Sequence, residues 1–330
     1  MKNRVLKLLR QENDYVSGQE LCEKFNVSRT AVWKIMNQLK EEGYGIEAVK
    51  NRGYRLETIP DLVTEAEIKS FLQTDFMGQS CVSLAETDST NNYARKLAEE
   101  GAPDGTLVVT ECQTAGKGRR GRGWVSESGE HIFMSILLRP DIQPANASML
   151  TLVMGLSAAK ACQEILAERG SREKIWIKWP NDLVWQGKKL CGILTEMSAE
   201  METVRYLVVG VGINVNGRDF SPDIADKAAS LCMITGHPLH RAELIARCLS
   251  HFERDYRIFL ETEDLGGLAE DYTGRLVNTD RQVRVLDPGK EYTGVARGID
   301  QRGDLLVECE GQVRRVYAGE VSVRGVYGYV

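Results

Sequence analysis

The sequence is short of the residues that build metal centres and disulfide frameworks. It has four histidines, and none stands at zinc-ligand spacing: His237 and His240 are three apart, with no cysteine or carboxylate cluster beside them. Its eight cysteines are scattered without one Cys-x-x-Cys pair, the usage of reduced thiols in a cytosolic protein. No run of about 18 apolar residues stands out. The N-terminus, MKNRVLKLLRQEN, is basic and amphipathic and lacks the long apolar centre of a signal peptide. The expectation is a cytoplasmic chain without membrane contact. An excess of positive charge is also missing. The formal net charge of -5 excludes a general polyanion binder and confines any nucleic-acid contact to a local patch. What the chain does have is 330 residues, 42% of them apolar, enough for two or three domains with a sizeable core.

Residues 1–62 read as a winged helix-turn-helix. Val5, Leu6, Leu8 and Leu9 form one apolar stripe. Ser17 and Glu20 make a capping box for a helix that stops near Asn26, and Ser28 caps a second helix whose Val32, Ile35, Met36 and Leu39 share a face. Strand-like runs flank Asn51-Arg52-Gly53, as in a hairpin wing. The unit is mildly basic while the remainder is acidic. Ser28, Arg29, Thr30, Lys34 and Arg52, with Lys50 and Arg55, are the candidates for contact with DNA phosphates and bases. A helix-turn-helix used only for protein contact is the competing reading.

Residues 63–270 mix strands (106–113, 131–138, 174–179, 189–197, 204–215) with helices (91–101, 149–170, 241–261) in no strict alternation. This predicts an α+β fold, a mixed sheet with helices on one side. Residues 271–330 carry short strand runs separated by turns at 287–289 and 302–304, a small antiparallel β-barrel or sandwich.

Between two of the central strands lies Gln113-Thr-Ala-Gly-Lys-Gly-Arg-Arg-Gly-Arg-Gly-Trp124. By letter it contains the dinucleotide fingerprint G-x-G-x-x-G, but no helix begins there to meet a pyrophosphate. A Walker loop needs a hydroxyl after Gly-Lys, and here the residue is Gly118. The stretch is too short and too embedded for a disordered Arg-Gly tract. It suits a flexible lid over a small anionic ligand. Glycines turn backbone N–H groups inward, and Lys117, Arg119, Arg120 and Arg122 supply charge.

Four further clusters accompany it. Asp88-Ser89-Thr90-Asn91 precedes a helix, where small polar groups meet exposed N–H groups. Lys178-Trp-Pro-Asn181-Asp182 ends a strand in a turn, with Asp182 a candidate magnesium or nucleotide contact. Lys189-Leu-Cys-Gly-Ile-Leu194 starts the next strand, with Lys189 at one end of the sheet. Gly210-Val-Gly212-Ile-Asn214 breaks an apolar strand with two glycines, the mark of a close backbone approach. Taken singly, each also suits a structural role: a helix cap, a plain turn, a solvated lysine, a bulge.

In this order the five motifs resemble those of the biotin–protein ligases. The N-terminal unit makes the chain similar to the bifunctional class, ligases that also repress biotin genes. The resemblance implies a class II synthetase-like central sheet and an SH3-like C-terminal barrel. It implies an enzyme that makes biotinyl-5′-AMP from biotin and ATP with Mg2+, then transfers biotin to one lysine of a biotin carboxyl carrier domain. The adenylate would be corepressor for a homodimer on operator DNA. Carried over by motif, Ser89, Thr90, Asn91, Gln113, Lys117, Gly118, Arg119, Trp124 and Lys189 would bind biotin. Lys189, Arg119 and Arg122 would be catalytic, with Arg119 retaining the adenylate. Asn181, Asp182 and Asn214 would serve nucleotide and metal. Lys117 stands where the family usually has arginine, which keeps charge and loses the bidentate fork. The segment from Asn216 to Leu231 should carry the adenine contacts, and Phe220 is its one clear aromatic candidate. A lipoate–protein ligase and a biotin sensor without turnover are the alternatives.

Overall fold

The computed structural model describes residues 1–12, 14–121, 123–124, 129–200, 203–286, 291–317 and 322–325. The chain opens with α1 (Lys2–Gln11), α2 (Gly18–Phe25) and α3 (Arg29–Glu41), then the hairpin β1 (Gly45–Val49) and β2 (Gly53–Thr58). Ser17 Oγ accepts the Glu20 N–H at 3.0 Å and Ser28 Oγ the Ala31 N–H at 3.2 Å, so both expected caps form. Asn26, at φ 52°, takes the left-handed cap that ends α2 and turns the chain into α3. Gly53 allows the hairpin to tuck under α2: its φ is +115°, and a Cβ there would lie 2.0 Å from the Val16 carbonyl oxygen. The apolar stripes of the three helices and Ile46 close into a core of their own.

After α4 (Glu65–Phe71) come β3 (Cys81–Thr87), α5 (Thr90–Glu99), β4 (Thr106–Gln113), β5 (His131–Leu138), α6 (Met149–Glu168), β6 (Trp176–Lys178), β7 (Asp182–Trp185), β8 (Lys188–Glu200) and β9 (Thr203–Asn214). The strands form one seven-stranded sheet in the order β3-β4-β5-β9-β8-β7-β6. The β3–β4 pair is parallel and the other pairs are antiparallel. Then follow α7 (Leu231–Thr235), the long α8 (Arg241–Thr262) and α9 (Ala269–Gly274). The last unit, β10 (Gln282–Leu286), β11 (Tyr292–Ile299), β12 (Leu305–Cys309), β13 (Gln312–Val316) and β14 (Ser322–Gly325), is a five-stranded antiparallel sheet in the order β13-β12-β11-β10-β14. Its buried Val283, Val285, Leu305 and Val307 join the same core as α6 and α8.

The strand period of two divides the large sheet into two faces. Leu107 and Val109, Ile132 to Leu138 at alternate positions, and Leu207 to Ile213 at alternate positions pack with α6 and α8. Val108, Leu137, Tyr206 and Val208 point the other way, against Ala94 and Ala98 of α5. The expectation of helices on one side is therefore corrected. The sheet carries helices on both faces, and α5 covers only part of the second one. A second correction concerns α6. The stretch Pro144–Glu168 is long and apolar enough to cross a bilayer by composition, and 78% of its most apolar window is buried inside the fold. Here α6 is an all-round apolar core helix. The sequence reading also missed β3, α4 and the strand character of Asp182.

Candidate active site

On the face partly covered by α5, side chains disappear where a pocket is needed. In β9, Tyr206 and Val208 fill the space under α5, and then Gly210 and Gly212 leave the sheet bare. Cross-strand register extends the clearing: Gly212 pairs with Gly192 of β8, and Gly192 with Asp182 of β7. Two glycines and a carboxylate thus lie in one row across three strands. The Trp124 indole lies over that row. A Cβ at Gly212 would fall 2.6 Å from it and one at Gly192 2.7 Å.

Lys189 reaches the same face because of an irregularity. Counting back by twos from Gly192 would leave it pointing with Cys191 and Ile193 into the core. The register between β7 and β8 shifts between Leu183 and Val184, and this bulge returns Lys189 to the open side. Its Nζ lies 2.6 Å from Asp182 Oδ1 and 5.2 Å above the Trp124 ring.

At the other end of the clearing, the N-terminus of α5 presents Ser89, Thr90 and Asn91, all buried. Gln113 Oε1, at the end of β4, accepts the Thr90 N–H at 2.9 Å. Ser135 Oγ of β5 lies 2.7 Å from Thr90 Oγ1 and 2.6 Å from Asn91 Oδ1, and Asn91 Nδ2 donates to Glu196 Oε2 at 2.7 Å. Asn91 needs the absent side chain of Gly210, since a Cβ there would be 2.1 Å from Oδ1. Asp88 stands just outside. The Asn92 amide and the Ser89 N–H hold its carboxyl below the usual carboxylate range, so it stays ionised.

The glycine-rich lid is tied to both walls. Its first residues extend the strand, with Thr114 N–H to Thr87 O at 2.9 Å and Ala115 N–H to Asp88 O at 2.8 Å. Lys117 Nζ donates to Asn92 Oδ1 at 2.7 Å, and Arg119 Nη1 to Asn181 Oδ1 at 2.9 Å. Asn181 is fixed in turn by a pair of bonds with the Ile193 backbone. Ser89, Thr90, Asn91, Gln113, Lys117, Gly118, Arg119, Trp124, Asn181 and Lys189 all line one pocket with Gly192, Gly210 and Gly212. Asp182 adjoins it through Lys189. Arg122 lies outside the described residues.

Two expected nucleotide contacts stand elsewhere. Asn214 Nδ2 donates to Ala229 O at 3.1 Å and Lys189 O at 3.3 Å, so it pins the 216–230 segment to β8 instead of lining the pocket. The Phe220 ring is stacked on His131, 6.0 Å between centroids, and that histidine is buried and pushed down to about 4. Sequence reasoning also missed Ser135 and Glu196, the partners that orient Thr90 and Asn91. Ser135 was visible as the one hydroxyl inside HIFMSILL.

Among the described residues no group of three or more His, Cys, Asp or Glu is placed to hold a metal ion. A divalent cation at Asp182 would take one protein carboxylate and fill its shell with phosphate and water oxygens. That arrangement fits magnesium and not a zinc-type cage.

In the N-terminal unit, the cap Ser28 is exposed, as are Arg29, Thr30 and Lys34 of α3, together with Trp33, which sequence reasoning did not include and which is 58% exposed. Ser28 spends its hydroxyl on the cap. Arg52 sits at the wing tip, 3.1 Å from Asp14 and over the Tyr15 ring. Arg55 is held by Glu47 and Glu57.

Comparison with known proteins agrees with this geometry. Residues 83–214 match the Biotin/lipoate A/B protein ligase family, residues 2–55 an HTH domain and residues 280–324 the Biotin protein ligase C terminal domain. The chain is 39% identical to the bifunctional ligase/repressor BirA of Bacillus subtilis over 94% of both chains. It is 33% identical to that of Escherichia coli, again over 94% of both. A biotin protein ligase from Aquifex aeolicus in complex with biotin and ATP superposes with a TM-score of 0.65 at 31% identity, covering 75% of this chain and 99% of that one. The chain belongs to the family of bifunctional biotin ligase/repressors.

Proposed function

We propose that this protein joins biotin to ATP as biotinyl-5′-AMP, passes biotin to a lysine of a biotin carboxyl carrier domain, and uses the adenylate-loaded state to bind operator DNA as a homodimer. The observation that carries the ligase reading is the row Asp182–Gly192–Gly212, with Lys189 beside it and the Thr90–Asn91–Gln113 cluster at its far end. One end offers donors and acceptors on a rigid frame, as a cyclic urea requires. The middle is an apolar floor under an indole. The other end is cationic.

In the first step a biotin carboxylate oxygen attacks the α-phosphorus, and the bond to pyrophosphate breaks. Both reactants are anions, and Lys189 offsets their repulsion from one side while Lys117 and Arg119 close from the lid. Asp182 would hold magnesium, whose positive charge would offset the negative charge developing on the leaving pyrophosphate. In the second step the carrier lysine, as a free amine, attacks the acyl carbon. An amide forms, AMP leaves, and the amine proton passes to solvent. Arg119, braced by Asn181, would keep the adenylate in place between the steps. Ser28, Arg29, Thr30, Lys34 and Arg52 would meet the operator, with phosphate contacts setting register. The domain limits that go with this reading are 1–62, 63–270 and 271–330.

Incubation with biotin and MgATP, followed by denaturation and mass spectrometry of the small molecules, tests the reading. Biotinyl-5′-AMP in stoichiometric amount is expected, and biotin and ATP recovered unchanged would contradict it.

A further inference from the structure

The DNA-binding unit is fastened to the rest of the chain by buried charge. Glu67 of α4 is fully buried and accepts from Arg10 of α1 and from the Tyr44 hydroxyl, while His240 Nε2 lies 3.4 Å away. The Arg10 guanidinium is also 3.9 Å from the Phe71 ring centroid. A short distance along, the connection after β2 is not a loose linker. Asp61 Oδ1 accepts the Arg241 N–H at 2.8 Å, its Oδ2 accepts Arg241 Nε at 2.8 Å, and its carbonyl accepts Nη2 at 2.6 Å. Arg241 is 1% exposed, and its Nη1 goes on to Glu111 Oε2 at 2.7 Å and to the His131 carbonyl at 3.1 Å.

His131 is the residue at which the chain returns from the lid into β5. Asp61 Oδ2 has a second donor, Asn216 Nδ2 at 2.9 Å. Asn216 begins the segment whose other end, Lys227 to Ala229, is bonded to both backbone groups of Lys189, at 2.7 and 3.0 Å. One carboxylate in the connection to the winged helix therefore holds the root of the lid, through Arg241, and the segment behind Lys189, through Asn216.

We propose that Asp61 is a positioning residue that carries the occupancy of the ligase site to the DNA-binding unit. This inference rests on the ligase/repressor reading above. Ligand drawn between Lys189 and the lid biases both attachments of Asp61 at once, and the winged helix is already locked to α4 and has no slack to absorb the shift. Coupling of this kind is a free energy shared by two sites, so weakening the junction lowers the response and leaves each site's own chemistry in place.

The test uses the full-length chain and a duplex selected by the wild-type protein, with biotin and MgATP, from a random-sequence library. Duplex affinity is measured by anisotropy with and without saturating biotin and MgATP, beside melting temperature and single-turnover adenylate formation. Two variants are compared. In Asp61→Asn an amide nitrogen faces the Arg241 and Asn216 donors, and Asn216→Ala removes the second attachment together with the two bonds between Asn216 and the Leu239 backbone. The expected result is unchanged affinity without ligand, adenylate formed as in wild type, and a ligand-induced gain in affinity reduced on the order of tenfold in both variants. A full gain in both variants overturns the inference and leaves the repressor reading intact. Equal loss in both ligand states with a lowered melting temperature marks a merely structural role and also overturns it. A wild-type chain with no ligand response removes the repressor reading and this inference with it.

Discussion

Replacing Gly210 by alanine tests the clearing on which the pocket depends. The added methyl would fall 2.1 Å from Asn91 Oδ1, 2.8 Å from its Cγ and 3.0 Å from its Nδ2. Oδ1 must retreat by more than about 1 Å to reach ordinary contact. It cannot do so without leaving Ser135, and the same movement draws Nδ2 from Glu196. Asn91 is 4% exposed, so no water replaces what is lost. Overpacking costs about 1–3 kcal/mol, and each stranded polar group costs a similar amount. We expect a destabilisation of about 3 kcal/mol or more in urea unfolding. Calorimetry should show biotin binding weakened by about ten- to a hundredfold, which is about 1.4–2.8 kcal/mol. On the proposed reading the nucleotide meets Lys189 and Asp182 at the other end of the pocket, so ATP binding alone should change little. Wild-type biotin affinity together with a wild-type urea midpoint would refute the claim that Gly210 exists to admit Asn91.

Other changes give distinct signatures. Lys189→Ala, which removes the cation beside Asp182, should slow adenylate formation by about a hundredfold or more in a pyrophosphate-release assay, with biotin still bound. Arg119→Gly breaks the bond to Asn181 and should release adenylate that labels bystander lysines; a variant that still labels only its carrier domain would count against the retaining role. Lys34→Ala should weaken duplex binding across all sequences and lower the salt-dependence slope by about 1. His131 is buried neutral with its pKa near 4, so between the unfolded value near 6.5 and 4 the unfolded chain binds more protons. Its contribution is complete above about pH 6.5 and is lost as pH falls towards 4, up to about 3 kcal/mol. Urea midpoints at pH 7 and pH 5 should therefore diverge more for wild type than for His131→Gln, and parallel curves would disprove this.

Much of the site was legible because its parts are local. A cap-forming Ser-Thr-Asn before a helix, glycines between apolar strand residues and a basic glycine-rich lid each announce themselves within a few residues. The helix-turn-helix was equally plain, since both N-caps and the left-handed Asn26 are sequence-local signals. What stayed hidden depends on pairing across the sheet. That Asp182, Gly192 and Gly212 share a row follows from register, and that Lys189 joins them follows from a bulge that alternation alone would misplace. Ser135 and Glu196 come from distant strands and acquire meaning only beside Asn91. The one-sided sheet was the wrong expectation for a related reason. Strands buried on one face by long helices look much like strands buried on both, and α5 is short enough to escape notice as a layer. The Asp61–Arg241 junction joins residues 180 apart in the chain, and no local pattern marks it.

Transfer to protein tests the ligase activity most directly. Purified chain, biotin and MgATP are incubated with a biotin carboxyl carrier domain, and the carrier is weighed by mass spectrometry. One biotin on one lysine is expected, abolished in the carrier variant lacking that lysine. An unmodified carrier, with adenylate formed and held on the enzyme, would contradict it and leave a protein that senses biotin without passing it on.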